Sequence, residues 1–191
     1  MKEKTSLLAV ILICLSFLGS GTLAYYTSDT QVHTIITSGA VDIEIEEWQQ
    51  TDDGEVPYPD GEVAIMPGTE VSKIVKIKNN DEDAFVRAKV VVTVKDENDK
   101  VMNLPQETLD EIVAITYNTA DWELKDGWWY YTSILTDEVV SDPLFTAVTF
   151  SGPNMTNAYS NCTFDIDVKA QAVQVANNGD SALTAAGWPE E

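Results

Sequence analysis

Apolar and polar residues alternate in short runs along most of this chain. Val41, Ile43 and Ile45 alternate with Asp42, Glu44 and Glu46, the period of two that marks a strand with one face in a core. Ala84 to Lys95 is the longest such run. It puts Val86, Ala88, Val90, Val92 and Val94 on one face and Phe85, Arg87, Lys89, Val91 and Thr93 on the other. Val71 to Lys78, Val101 to Leu104, Val113 to Tyr117, Leu144 to Phe150 and Cys162 to Val175 add further strands. In the last of these Phe164, Ile166, Val168 and Ala170 face inward. Asp126-Gly127 predicts a tight hairpin turn between Trp122-Glu123-Leu124 and Trp128 to Leu135. The run Asn79 to Asp83 predicts a second hairpin, and Asp96-Glu97-Asn98-Asp99 a third turn. Gln49 to Pro67 carries Asp52-Asp53-Gly54, Pro57, Pro59 and Asp60-Gly61, and reads as mostly loop.

Helical pattern is scarce. Pro105 to Ile112 is the best case, with proline at its start and Glu107 in its first turn. It is expected to cross between sheets. Asp180 caps a second short helix toward Ala186, and Gly187 to Glu191 reads as a loose tail. Many short strands with turns at close intervals predict an all-β fold, an antiparallel β-sandwich of jelly-roll type with one or two short helices.

The first forty residues follow another pattern. Lys2 and Lys4 precede an apolar run from Leu7 to Leu18, broken only by Ser16. Gly19-Ser20-Gly21 follows, then Thr22-Leu23-Ala24, with small residues where a signal peptidase requires them. As a helix this run is about 18 Å long, against a bilayer core of about 30 Å. A signal helix over residues 1–24, cleaved between Ala24 and Tyr25, is therefore expected rather than a spanning anchor that continues to Tyr26. Ile13 stands before Cys14 where a lipobox needs a small residue, which excludes a lipoprotein. Behind the signal, Tyr25 to Thr30 is polar-aromatic and extended, and Gln31 to Ile36 is rich in β-branched residues.

Composition narrows the partners. The chain has 191 residues, and removal of the first 24 leaves a single domain, residues 25–191, large enough to fold without staples. Removing Lys2, Glu3 and Lys4 takes Lys+Arg from 11 to 9 and Asp+Glu from 32 to 31, a net charge of −22. Such a field repels nucleic acid and anionic membrane. Only Cys162 then remains, so no intramolecular disulfide forms. An exported, disulfide-free chain suits the surface of a Gram-positive cell. Seven of the nine cations lie between Lys73 and Lys100, and nine carboxylates between Asp42 and Glu62. Two arrangements fit this layout: basic and acidic patches joining copies head to tail, or pairing of neighbouring strands within one subunit.

Little of the chain suits catalysis. His33 is the one histidine, a strand-surface residue, and no His-Glu-x-x-His pair exists to hold zinc. Cys162 has no basic neighbour to activate it and is expected to be a buried, inert thiol. No nucleophile elbow, phosphate loop or dinucleotide fingerprint occurs. No cofactor is expected. Calcium at Asp81-Glu82-Asp83 or Asp96-Glu97-Asn98-Asp99 is the one metal candidate, without the full spacing of a calcium loop. Trp122, Trp128, Trp129, Tyr130 and Tyr131 gather on one hairpin. Core packing is the plain reading; a surface for glycan or host protein over Trp128, Trp129, Tyr130 and Tyr131 is the sharper one.

Several segments together resemble the camelysin/TasA family of secreted proteins, whose members form biofilm-matrix fibres in Gram-positive bacteria. They are Gly19 to Thr27, Ile36-Thr37-Ser38-Gly39-Ala40-Val41-Asp42-Ile43, Pro67 to Val71, Ile77-Lys78-Asn79-Asn80, Phe85 to Val90, Asp142-Pro143-Leu144-Phe145 and Ala170 to Gln174. The resemblance implies a jelly-roll subunit, export with cleavage by a specialised signal peptidase, and polymerisation by donor-strand exchange with copies or related subunits. Its implied assembly strand is residues 25–36, with Tyr25, Tyr26, Val32, Ile35 and Ile36 as its apolar positions. Camelysin itself is described as a metalloprotease, but the zinc ligands are missing here, so that activity is not expected. The chain is expected to be a secreted, non-enzymatic fibre or matrix subunit. The alternatives are an adhesin using the aromatic hairpin and, third, a secreted protease.

Overall fold

A computed structural model describes residues 26–28, 33–38, 41–61 and 63–189. The expected signal helix, the cleavage point at Ala24 and Tyr25, and Val32 lie outside the described residues. Twelve strands and one α-helix are described in chain order. β1 is Tyr26–Ser28, β2 His33–Ser38, β3 Ile43–Thr51, β4 Gly54–Pro57, β5 Val63–Ile65, β6 Glu70–Asn79 and β7 Ala84–Lys95. α1 is Gln106–Ile112, followed by β8 Val113–Tyr117, β9 Trp122–Lys125, β10 Trp128–Tyr131, β11 Phe145–Phe150 and β12 Thr163–Gln174. One sheet runs β5-β1-β12-β7-β10-β9 with β2 also on β12; the other runs β4-β3-β6-β11-β8.

The two sheets close on one apolar core. Val41, Ile43 and Ile45 around β3, Val75 and Ile77 of β6, and Phe145, Val148 and Phe150 of β11 bury one inner face. Val86, Ala88 and Val94 of β7 and Phe164, Ile166, Val168 and Ala170 of β12 bury the other. The alternating runs thus form strands as expected. α1 starts behind Pro105 with Glu107 in its first turn, and its buried Ile112 pins it to the core. It carries the chain from β7 in one sheet to β8 in the other. Asp126 and Gly127 both take positive φ, 51° and 79°, and join β9 to β10 in a two-residue turn, the conformation this dipeptide favours.

Four expectations need correction. Residues 79–83 do not close a hairpin, because β6 and β7 lie in different sheets. Asn79 makes this a corner. It is fully buried; its amide donates to the carbonyls of Glu82 and Leu135, and its Oδ1 accepts from the Asp81 amide. The stretch 49–67 is only partly loop: β3 runs on to Thr51, pairs with β4 across Asp52-Asp53, and β5 follows. Pro57 fits because β4 is an edge strand. Val101 makes one bridge to Lys95 rather than starting a strand. Behind Asp180 there is a single turn closed by the Ser181 carbonyl, not a helix.

Candidate functional site

β12 is the spine of the larger sheet. Along one edge it pairs antiparallel with all of β7, from Thr163↔Lys95 to Gln174↔Ala84. Its other edge holds the beginning of the chain. β1 meets it in parallel at Thr27↔Thr163, and β2 runs parallel to it from Val168↔His33 to Val173↔Ser38. β5 flanks β1 on the far side. Among the described residues β2 has no strand on its other side, and Ile35 within it is 40% exposed. Of the strand expected at residues 31–36, residues 33–36 lie in β2, which continues to Ser38. Tyr26 lies in β1, and Ile35 and Ile36 in β2. β2 occupies an edge of its own subunit, while β1 lies between β5 and β12. Leaving β12 means breaking the β2–β12 and β1–β12 ladders and, for β1, the ladder with β5 as well, and it exposes a long row of β12 backbone groups.

Part of the charged runs pairs within the subunit. β3 pairs with β6 so that Glu44 lies opposite Lys78 and Glu46 opposite Lys76. Lys73 contacts Glu47, Lys76 contacts Glu55 at 2.6 Å, Lys78 contacts Glu138 at 3.7 Å and Lys95 contacts Asp165 at 2.6 Å. Four of the seven clustered cations thus meet carboxylates of their own subunit, two of them, Lys73 and Lys95, across neighbouring strands.

The aromatic hairpin is mostly interior. Trp122, Trp128, Tyr130 and Tyr131 are buried, and the half-buried Trp129 stacks on Tyr117 at 4.3 Å between ring centroids. Trp122 and Tyr131 turn into the main core. Trp128 and Tyr130 turn to the other face and form a second cluster with Phe85, Val173 and Ala182, against which Trp188 packs. The exposed platform considered from sequence is covered by the chain's own tail. Arg87 fastens that tail. Its guanidinium lies 4.3 Å from the Trp128 ring and 4.7 Å from the Trp188 ring. It donates to Gln171 Oε1 at 2.8 and 2.6 Å, to Tyr130 Oη at 3.0 Å and to the Pro189 carbonyl at 3.4 Å. The loose tail expected from sequence does not describe residues 187–189 in this arrangement. Its signal in the sequence is Trp188 itself, a large apolar residue at the end of an acidic chain. Arg87→Ala is expected to cost about 1.5–3 kcal/mol in urea unfolding, the range for hydrogen bonds to a charged group. Limited proteolysis is expected to cut the variant beyond Gln174 first.

Cys162 and the Asp96 turn are held in local contacts. Cys162 is 2% exposed beside Met102. Burial, with the charges of Asp96 and Glu97, pushes its thiol up from the ordinary range. His33 pairs through its backbone with Val168. The Asp96 carboxylate accepts from the Asn98 and Lys100 amides and so closes its own loop. Among the described residues no three acidic, histidine or cysteine side chains converge on a cation position. A cleft of about 310 Å³ opens between residues 89–92 of β7, α1 and β8.

Two phenols report on the fold. Burial foremost, aided by the charge of Glu47, pushes Tyr58 up to about 12, and burial likewise pushes Tyr117 up to about 12. The unfolded chain ionises these groups near 10. Their contribution to stability is therefore complete below pH 10 and is lost as pH rises toward 12. Tyrosinate absorbance is expected to show a late fraction that appears together with loss of near-ultraviolet circular dichroism. All phenols ionising near pH 10 with the fold intact would contradict this.

No family model matches the chain, no curated protein is similar to it, and no solved structure resembles it.

Proposed function

We propose that this chain is an exported, non-enzymatic structural subunit of a surface or matrix fibre, assembled by exchange of its N-terminal strand. The observation that carries the reading is the parallel ladder of β2 on β12. The segment behind the expected cleavage point supplies an edge strand, and every copy holds the same strand and the same seat. The bonds broken in one subunit are remade in the next, so exchange between copies costs little, as in domain swapping. Signal cleavage between Ala24 and Tyr25 would free the segment for this, and the sandwich is read as a jelly roll at the outside of the cell. The large negative charge, −21 over the whole chain, favours solubility until strands pair. The burial of Trp128, Tyr130 and Tyr131 removes the main support for an adhesin. Electron microscopy of the protein from Tyr25 onward is the test. Fibres or end-to-end oligomers support the proposal, and a strict monomer at all concentrations opposes it.

A further inference from the structure

Two charged side chains occupy inward positions. In β3 the face that buries Ile43 and Ile45 continues to Glu47, and in β6 the face of Val71, Val75 and Ile77 includes Lys73. Glu47 lies opposite Val75 in the register, so Lys73 is its diagonal neighbour. Lys73 Nζ lies 2.5 Å from Glu47 Oε1, with the two side chains 1% and 11% exposed. The Tyr58 ring covers Nζ at 4.3 Å. Val71, Val148, Phe150 and Ile166 complete the wall and leave about 10 Å³ of free space, at or below the roughly 10–15 Å³ that one water needs. A lysine and a glutamate held in contact beside a small, mostly apolar pocket between sheets, with the charge of Asp167 also acting on the lysine, are a costly buried ion pair. They are also the two reactants of an amide.

We propose that Lys73 Nζ and Glu47 Cδ join in an intrachain isopeptide bond that ties β3 to β6. Burial lowers the proton affinity of the Lys73 amine, against the opposing pull of the Glu47 and Asp167 charges. Transfer of one proton from the ammonium to the carboxylate gives an amine and a carboxylic acid in contact. The nitrogen lone pair attacks Cδ, the C–N bond forms, and the C–O bond to the hydroxyl breaks. A proton from the nitrogen leaves with that hydroxyl as water. Nothing is oxidised or reduced, and no co-reactant enters. The exclusion of water favours the amide over its hydrolysis. The position of the bond has a mechanical sense: β3 directly follows β2 in the chain, so load entering through the first strands would pass from β3 across a covalent link into β6. The chemical claim itself does not depend on assembly.

Peptide mapping by mass spectrometry of the purified protein tests it. The expected result is a branched peptide joining the Glu47 segment to the Lys73 segment, lighter than the two together by one water. Lys73→Arg is expected to give the unbranched peptides only. Wild-type protein that yields separate, full-mass Glu47 and Lys73 peptides would overturn the proposal, whatever the variant does.

Discussion

Deleting residues 25–38 is expected to abolish assembly while leaving the rest of the sandwich folded. The deletion removes β1 and β2 from the outer side of β12 and takes from β5 the strand that it pairs with. It leaves intact the β12–β7 ladder and the core built from β3, β6, β7, β11 and β12. What it uncovers is the outer edge of β12 from Thr163 to Gln174, with its backbone donors and acceptors turned outward. An open edge of that length binds extended chains. A synthetic peptide of residues 25–38 is therefore expected to bind the truncated protein, and to block polymerisation of the intact protein when added in excess. Light scattering and electron microscopy measure both effects. Unchanged polymers from the truncated protein would place the assembly contact elsewhere.

Trp122→Ala is expected to be the most damaging single substitution in the hairpin. Trp122 is 1% exposed although β9 is an edge strand. It packs against Tyr131 at 5.1 Å between ring centroids, and its indole Nε1 donates to the Asp142 carbonyl at 3.1 Å. Truncation empties a large volume and leaves that carbonyl with the Ser141 hydroxyl as its donor, at a cost of about 3–5 kcal/mol for a buried aromatic. Domains of this kind hold about 5–15 kcal/mol in total. The urea midpoint is expected to fall steeply with little change in slope. A loss below about 1 kcal/mol would mean that the side chain lies in solvent and would contradict this packing.

Local pattern carried much of the architecture. The alternation in β3, the turn at Asp126-Gly127 and the proline start of α1 are properties of a few adjacent residues, and each appears where the sequence puts it. Choices between distant partners were not legible in the same way. The acidic run after Asn79 looks like any hairpin tip, and only the buried amide of Asn79, held by Leu135, makes it a corner between sheets. The parallel seat of β2 involves a strand from the far end of the chain. The cover over Trp128 and Tyr130 comes from Trp188, so their exposure was not decided by the hairpin itself. Lys73 and Glu47 are the opposite case. Counting by two along β3 and β6 places both on the apolar face, and their pairing was readable once the strands were set side by side.

A mixed cross-link tests strand exchange most directly. Thr34 and Lys169 are opposite one another in the parallel ladder. Protein carrying only Thr34→Cys, mixed with protein carrying only Lys169→Cys and oxidised under assembly conditions, can join these positions only between different molecules. Exchange predicts a disulfide-linked heterodimer whose peptides map to residues 34 and 169. Absence of that link in the mixture, with the double variant closing the same disulfide within one chain, would show that the strand stays at home and would contradict the account.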